Sequence, residues 1–207
     1  MSKTNQSFWD ERYGQEQYAY GEAPNEYLKN KLTGFPKGRI LFPLEGEGRN
    51  AVFAAILGWN VFAFDQSSEG KKKAELLAKK NGVQIEYVVS DVADFSCTEK
   101  SFDALVLVYA HFTLNERRRY HQKLSSLLKK RGLLIIEGFG KEHIEKQKQN
   151  PNAGGPKEAT MLYDLEDLKT DFRGFEFIEI YKTDTELQEG NYHVGVASVV
   201  RVLAIKK

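Results

Sequence analysis

The sequence predicts an α/β fold in which helices cover both faces of a mixed sheet. Three observations support this prediction. An apolar strand, a turn with two glycines and a helical pattern follow one another within residues 39–58. Further apolar strands then alternate with helical segments, which is typical of parallel strands. The last two strand patterns have no helix between them, so we expect them to pair antiparallel.

Length and composition set the broad class of the protein. The 207 residues are enough for one domain with a sizeable core, and 41% of them are hydrophobic. The net charge is +1, and the basic runs at 71–73 and 117–119 fall on helical segments without interleaved aromatic residues. Neither feature favours a nucleic-acid partner or a membrane surface.

The start of the chain and its single cysteine indicate the expected location of the protein and the kinds of site it lacks. The first residues are polar and lack the apolar core of a signal peptide, and no run is long enough to cross a bilayer, so a cytoplasmic protein is expected. Cys97 has no second cysteine to pair with, which excludes an intramolecular disulfide and a cysteine-rich zinc site. No metal site is predicted.

Residues 8–32 form an unusually aromatic leading arm. Helices are expected at Phe8 to Tyr13 and at Asn25 to Leu32, joined by an aromatic loop. The rings could simply pack the arm against the core, or they could form a lid over a flat ligand. Both interpretations are open for the candidate lid residues, which are Trp9, Tyr13, Tyr18 and Tyr20.

The central unit begins with a predicted strand at Ile40 to Leu44, followed by a turn through Gly46 and Gly48 and a helix from Asn50. Glycine has no Cβ, so such a turn lets the backbone approach a ligand closely and directs free N–H groups at it. Turns of this kind also occur without a ligand. The turn alone is therefore a weak signal.

The next strand, Val61 to Phe64, strengthens this interpretation. It ends at Asp65, about 17 residues beyond Gly48, close to where an acid holds the ribose hydroxyls of a nucleotide-like cofactor. A turn or helix-capping role is the alternative for Asp65. The two strands and their helix are predicted to form one cofactor-binding unit.

Ser67 to Asn81 is then predicted to be a solvent-facing helix, because Ser67 can cap its start and Asn81 with the following glycine can end it. Val83 to Val89 follows as a third strand. Asp91 comes directly after this strand, at the edge of the sheet where open α/β proteins bind ligands. Asp91 is therefore a candidate for contacting the base of the cofactor.

The fourth strand, Phe102 to Tyr109, is nearly all apolar, as expected when helices cover both faces of a sheet. Asn115 to Lys130 is predicted to be an amphipathic helix that Gly132 ends. Leu133 to Glu137 is the predicted fifth strand.

The C-terminal third breaks this alternation. Lys141 to Gln149 is predicted to be a short helix within a long turn-rich segment, and segments of this kind are often functional. Leu162 to Phe172 should form the last helix. Phe175 to Tyr181 and Val194 to Ile205 are predicted strands, linked by a polar loop from Thr183 to His193.

A set of motifs spread over nearly the whole chain resembles class I S-adenosylmethionine-dependent methyltransferases, specifically the small bacterial group related to tellurite-resistance and thiopurine methyltransferases. The turn at 45–51 is far more specific than a bare glycine motif. The motifs are Phe8-Trp-Asp-Glu-Arg-Tyr13, Tyr18-Ala-Tyr-Gly21, Glu45-Gly-Glu-Gly-Arg-Asn-Ala51, Phe64-Asp-Gln-Ser67, Ser90-Asp-Val92, Tyr109-Ala-His-Phe112, Gly154-Gly-Pro-Lys157 and Glu189-Gly-Asn-Tyr-His193.

The resemblance implies a Rossmann-like sheet of seven strands in the order 3-2-1-4-5-7-6, with the last strand antiparallel. It implies S-adenosylmethionine as the cofactor and S-adenosylhomocysteine (SAH) as its product. The residues implied to bind the cofactor are Gly46 and Gly48 beside its amino-acid part, Asp65 on its ribose, Asp91 and Val92 around its adenine, and Tyr109 or His111 near its methionine portion, together with Glu45, Glu47, Arg49, Asn50 and Gln66.

Two positions depart from the pattern of the class. Phe42 stands where many of these enzymes have an acid, and Leu44 stands where many have the first glycine. Glu45, Glu47 or Arg49 could supply replacement contacts to the methionine end.

Methyl transfer from a sulfonium is an in-line displacement, so the protein mainly aligns a nucleophile and excludes water. A protonated oxygen or nitrogen acceptor also needs a base, for which histidine is suited. His193 is the first candidate by resemblance, with a structural hydrogen bond as the alternative. His111 is the second candidate, and it could instead orient the pocket. Lys157 and Arg201 could hold an anionic acceptor or be solvated.

The sequence thus predicts one methyltransferase domain over residues 1–207. It would consist of an aromatic arm or lid at 1–35, a cofactor-binding core at 39–138, and a substrate-side loop with the terminal hairpin at 139–207. The expected partner is a small-molecule methyl acceptor, and tellurite, a thiol, a heterocycle or an oxygen or nitrogen metabolite are all open. A nicotinamide-dependent oxidoreductase and a non-catalytic cofactor-binding protein are the alternatives. The oligomeric state is left open.

Overall fold

The computed structural model describes residues 3–207 and contains one seven-stranded sheet. Its order is β3-β2-β1-β4-β5-β7-β6, which confirms the predicted order. Strands β1 to β5 are mutually parallel, whereas β7 pairs antiparallel with both β5 and β6. The strands are β1 Arg39–Pro43, β2 Asn60–Asp65, β3 Glu86–Val89, β4 Phe102–Val108, β5 Leu128–Phe139, β6 Phe175–Glu189 and β7 His193–Lys206.

Seven α-helices occur in the part of the chain that the structure describes, and none of them is long and apolar enough to span a membrane. Side chains of Asn25 and Ser67 cap the second and fourth helices by accepting backbone N–H groups of their first turns. The helices are α1 Lys3–Tyr13, α2 Glu26–Leu32, α3 Arg49–Ile56, α4 Ser68–Lys80, α5 Leu114–Leu127, α6 His143–Gln149 and α7 Leu165–Asp171.

Apolar residues cover both faces of the sheet, as the near-continuous apolar strands predicted. Along β1, Leu41 packs into the core on one face, and its neighbours Ile40 and Phe42 pack into the core on the other. All three are fully buried. Phe42 is therefore part of the core, so the side chain at this position does not contribute a polar group to the ligand edge.

The prediction that Gly132 ends a helix is wrong. Helix α5 ends at Leu127, and β5 begins at Leu128 and runs through Gly132. The start of β5 is irregular, because Leu128 pairs with Phe102 before the regular register with β4 resumes at Leu133. A Cβ on Gly132 would lie 2.6 Å from the side chain of Leu128, so this glycine serves the irregular strand start.

The predicted polar loop at 183–193 is also wrong for most of its length. Strands β6 and β7 pair continuously up to Glu189 and His193, with a tight turn between them. Polar residues occur here because β6 is the outer strand of the sheet and is largely exposed. As a consequence, Glu189 and His193 are directly paired residues at the end of the hairpin.

A buried ionic cluster joins α5 to α7. Asp171 accepts a hydrogen bond from Arg117 Nε (2.9 Å), and His121 Nδ1 lies 2.9 Å from the same carboxylate oxygen. Burial by itself would raise the pKa of Asp171, but the bond from His121 and the charge of Arg117 outweigh it and lower the pKa. This cluster fixes α7 beside the sheet.

Replacing Asp171 with alanine should leave Arg117 and His121 buried without their acceptor. We expect Asp171→Ala to lower the free energy of unfolding by about 3 kcal/mol, measured by urea denaturation. Glu166 on the same helix makes an exposed ion pair with Lys169, so Glu166→Ala should cost less than about 1 kcal/mol. Equal losses in the two variants would contradict this account of α7.

Candidate active site

The parallel strands bring several polar residues to one edge of the sheet. Asp65 ends β2, Asp91 follows β3, Tyr109 follows β4, and Glu137 lies near the end of β5. Tyr109 has a φ of 54°, a left-handed conformation that is uncommon outside glycine. This edge is where open α/β sheets bind ligands.

The glycine turn lies beside Asp65. Gly46 has a φ of 60° and donates its N–H to Asp65 Oδ2 (3.1 Å), and Gly48, with a φ of 85°, is the N-cap of α3. The N–H of Ser67 donates to Asp65 Oδ1 (2.9 Å). Burial raises the pKa of Asp65 to about 6, and no cationic side chain pairs with it among residues 6–207.

Tyr13 of the aromatic arm closes against this turn. A Cβ on Gly46 would lie 2.6 Å from the Tyr13 hydroxyl, and Tyr87 donates a hydrogen bond to the Gly46 carbonyl (2.7 Å). Trp9 stacks on Tyr13 with a ring separation of 5.3 Å. The arm therefore covers the turn, and a ligand there would contact the Tyr13 ring or displace it.

Two further carboxylates lie at the turn, of which Glu47 is buried and Glu45 is half-buried. Glu45 Oε1 accepts the N–H groups of Asn50 (2.9 Å) and Ala51 (2.7 Å) at the start of α3, and burial raises the pKa of Glu45 to about 7. Glu47 accepts the N–H of Ala19 and pairs with Lys73 Nζ (2.9 Å). Glu47 thus ties the arm to α4, whereas Glu45 has no salt-bridged cation among the described side chains.

A second group of charges surrounds Glu137, which is only 1% exposed. Its Oε1 accepts hydrogen bonds from Asn25 Nδ2 (2.6 Å) and the Tyr109 hydroxyl (3.1 Å), and its Oε2 accepts one from Arg201 Nε (2.5 Å). The predicted candidate Arg201 is therefore already paired with a buried carboxylate. The sequence patterns did not identify Asn25 or Glu137 as site residues. For Glu137, its position near the end of an apolar strand is a usable signal.

Glu189 links this group to His193. Its Oε2 accepts a bond from Arg49 (2.9 Å) and lies 3.0 Å from His193 Nδ1, and its Oε1 accepts a longer bond from Asn25 (3.3 Å). Burial alone would raise the pKa of Glu189, but the bond from His193 and the charge of Arg49 lower it to about 2. Glu189 is therefore a carboxylate at neutral pH.

The His193 ring is packed among aromatic rings. Its centroid lies 4.4 Å from that of Tyr20, 4.5 Å from Tyr109 and 5.1 Å from Phe139. Burial lowers the pKa of His193, so the ring is neutral at pH 7, with Glu189 accepting from Nδ1–H. Gly154 lies over the ring, since a Cβ there would be 3.1 Å from Nε2.

His111 has both ring nitrogens engaged by backbone groups. Nδ1 lies 2.9 Å from the Met161 carbonyl oxygen, and Nε2 accepts the N–H of Phe139 (3.1 Å). Burial lowers the pKa of His111 to about 4. These contacts fit the alternative that His111 orients the pocket, and its catalytic role stays a prediction.

A cavity of about 420 Å³ lies between the 20–26 loop and the β6–β7 hairpin. Four buried or half-buried charged side chains line it, namely Arg49, Glu137, Glu189 and Arg201. Lys157, the other predicted anchor for an anionic acceptor, is exposed and does not line this cavity. The cavity is a partly open space next to the charged network.

The remaining candidates lie around the turn and the arm. Val92 is buried, and Asp91 is half-buried and accepts the N–H of Ala93 (2.8 Å). The Tyr18 hydroxyl donates to the Lys73 carbonyl (3.1 Å), and Tyr20 accepts a bond from Arg12 (2.9 Å). These contacts pack the arm onto the core, and a lid role for the same rings stays a prediction.

Comparison with known proteins agrees with this architecture. Residues 45–136 match the family model described as a methyltransferase domain. None of the curated proteins matches the sequence.

Solved structures with a similar fold share low sequence identity with the chain. A protein studied for the conversion of a disulfide bond into a thioacetal group during echinomycin biosynthesis has a TM-score of 0.80 at 18% identity, over 100% of this chain and 92% of that one. TehB from Haemophilus influenzae has a TM-score of 0.71 at 15% identity, over 98% and 67%. Magnesium protoporphyrin IX methyltransferase from Synechocystis, with bound SAH, has a TM-score of 0.66 at 15% identity, over 99% and 95%.

These matches confirm the predicted resemblance to class I methyltransferases at the level of domain and fold. The likeness to TehB, at 15% identity, is one of fold, and the narrower group that the motifs indicated stays a prediction.

The raised pKa of Asp65 generates a testable pH dependence. A carboxyl whose folded pKa is about 6, against about 4 in an unfolded chain, binds more protons when folded, so its contribution to stability is lost as the pH rises from about 4 to 7. Wild type should therefore lose stability relative to Asp65→Asn over this range, measured by urea denaturation at several pH values. A difference between the two proteins that does not change with pH would contradict the buried, unpaired state of Asp65.

Proposed function

We propose that this chain, whose residues 45–136 match the methyltransferase domain model, transfers a methyl group from S-adenosylmethionine to a small-molecule acceptor. The observation that carries the proposal is the glycine turn beside the buried Asp65, at the ligand-binding edge of a sheet with the methyltransferase strand order. The bound SAH in the Synechocystis enzyme of similar fold supports the choice of cofactor.

The residues at this edge fit the proposed cofactor. Asp65 offers carboxylate oxygens where ribose hydroxyls would donate, and Asp91 follows the neighbouring strand on the side proposed for the adenine. Glu45 is half-buried and Asp65 is buried, and neither has a salt-bridged cation among residues 6–207. Such acids favour a ligand that carries positive charge. When bound, the sulfonium supplies an activated methyl group.

The chain's own residues would then position the acceptor and exclude water. The cavity between the 20–26 loop and the hairpin gives the acceptor a place next to the strand edge. The aromatic arm covers the turn through Tyr13 and Trp9, which keeps bulk water away.

We propose His193 as the base for acceptors that must lose a proton. Glu189 accepts a hydrogen bond from Nδ1–H of His193, so Nε2 is the unprotonated ring nitrogen that can accept a proton. Gly154 lies over this nitrogen, so the loop at 150–157 controls access to it. The Tyr109 ring packs edge-on against the His193 ring, and the Tyr109 hydroxyl donates a hydrogen bond to Glu137.

Cofactor binding can be tested by calorimetric titration of the purified protein. SAH and S-adenosylmethionine should bind and NAD should not, and Asp65→Ala should weaken SAH binding by about 10- to 100-fold, because a charge-assisted hydrogen bond contributes about 1.5–3 kcal/mol. Asp94→Ala, at an exposed acid after β3, should leave affinity unchanged. Binding of NAD instead would favour the oxidoreductase alternative, and tight SAH binding without turnover would favour a non-catalytic protein.

The role of His193 predicts a distinct pH profile. If Nε2 accepts a proton, kcat/KM should fall as the pH drops through a pKa below 6.5, and His193→Asn should lower kcat/KM by about 10²–10⁴ and remove this acidic limb. The affinity for SAH should stay within about twofold in the same variant, since the contacts of His193 are with Glu189 and with the rings of Tyr20, Tyr109 and Phe139, away from the glycine turn and Asp65. An unchanged acidic limb in His193→Asn would show that another group is the base.

A further inference from the structure

The edge of the sheet opposite the candidate active site carries a cluster of cationic side chains. Strands β4 and β5 begin at this edge, and β7 ends there because it runs antiparallel to β5. Three segments that are separate in the sequence therefore bring their lysines and arginine together. The members of this basic patch are Lys100, Lys129, Lys130, Arg131, Lys206 and Lys207.

The centre of the basic patch is the irregular start of β5. Between the residues that pair with Phe102 and Ala104, β5 has four residues, whereas β4 has one between the same two pairs. The longer strand bulges there, and Lys129, Lys130 and Arg131 lie in the bulge. Arg131 has a φ of 65°, a conformation that is uncommon for a residue with a Cβ. Bulges often direct side chains toward a functional surface, and this one exposes two of its cations fully to solvent.

Two further lysines lie directly beside the bulge. Lys206 Nζ donates hydrogen bonds to the carbonyl oxygens of Ser125 (2.6 Å) and Leu128 (2.8 Å), so its ammonium lies where β5 begins. The N–H of Lys100 donates to the carbonyl oxygen of Ser126 (3.1 Å), and Lys100 also has a left-handed φ of 53°. Burial lowers the pKa of Lys206, and the charge of Lys100 lowers it further. The cations are therefore close enough to repel one another.

The acids next to the basic patch do not balance it. Three acidic side chains adjoin the six cations, namely Glu99, Asp103 and Glu176. Asp103 pairs with Lys129 (2.7 Å), and apart from Lys129 the cations of the patch make no ion pair among residues 6–207. The lysine run at 71–73 differs, because each of its members pairs with an acid. The basic patch thus has an excess of positive charge that the protein itself does not neutralise.

The surroundings of the basic patch indicate the kind of partner. Among residues 6–207, the exposed large apolar side chains all lie outside 99–103, 128–132 and 205–207. A protein partner would need an apolar centre to the interface, and a single strand of nucleic acid would need aromatic rings on which to stack. Stable attachment to a membrane requires a second anchoring signal besides charge. The phosphate backbone of a duplex requires only lysines and arginines.

We propose that the basic patch binds the phosphate backbone of a nucleic-acid duplex without reading its base sequence. This binding goes beyond the methyl transfer proposed above and does not depend on it, because the basic patch and the cofactor edge are opposite ends of the sheet. DNA and RNA duplexes share the phosphodiester chemistry, and either can supply it.

Fluorescence anisotropy with a labelled DNA duplex and a labelled RNA duplex, repeated over a range of salt concentrations, tests the proposal. The main variant is Lys130→Gln/Arg131→Gln, at two exposed residues of the bulge. Lys100→Gln/Lys207→Gln removes the same charge outside the bulge, in case the main variant disturbs β5. Lys71→Gln/Lys72→Gln on α4 is the matched control, since both lysines pair with acids of their own helix. Circular dichroism and thermal melting establish that each variant is folded.

Wild type should bind a duplex at low salt and lose affinity as the salt concentration rises. Both patch variants should weaken binding by about tenfold and lower the slope of log Kd against log salt by about 2, because each removed cation releases roughly one counterion fewer. The control should stay within about twofold of wild type. Tighter binding of one duplex would support the proposal and identify which nucleic acid the patch fits.

Three results would overturn the proposal. The first is the absence of duplex binding by wild type at low salt, and the second is an equal loss of affinity in the patch variants and the control. The third is binding to vesicles of phosphatidylserine and phosphatidylcholine without binding to either duplex, which would assign the basic patch to an anionic membrane surface instead.

Discussion

The carboxylate of Glu137 is almost completely buried, so protein groups have to pair with its charge and hydrogen-bond to its oxygens. Arg201 from the neighbouring antiparallel strand, Asn25 from the start of α2 and the hydroxyl of Tyr109 provide this. The C-terminal hairpin, the aromatic arm and the fourth strand therefore converge on one acid. The position of every element around the cavity depends on this convergence.

A second constraint follows from the parallel strands, whose carboxyl ends all lie at one edge. The edge gathers Asp65 and Glu45 beside the glycine turn, and burial raises the pKa of both carboxyls. On the other side of Arg49, the same edge carries Glu189, whose pKa is lowered by His193 and Arg49 against the effect of burial. The site thus holds Glu45 and Asp65, whose pKa values are raised, and Glu189, whose pKa is lowered.

Much of this architecture could be predicted from the sequence. The apolar runs at β1, β2 and β4 and the glycine turn specified the parallel core, and the absence of a helix before β7 indicated the antiparallel end. The hairpin was predicted too short because its exposed polar residues on an edge strand have the composition of a loop. Asn25, Glu137 and Glu189 also have partners more than 100 positions away in the chain, and no local pattern encodes these contacts.

All of the proposed residue roles depend on the transfer of a methyl group from S-adenosylmethionine. The most direct measurement incubates the protein with S-adenosylmethionine that carries a deuterated methyl group and a panel of amines, thiols, phenols, amino acids and tellurite, and follows the products by mass spectrometry. We expect one acceptor class to gain the labelled methyl while SAH forms in equal amount, and we expect no transfer with heat-denatured protein. SAH binding without labelled product from any acceptor class would contradict it.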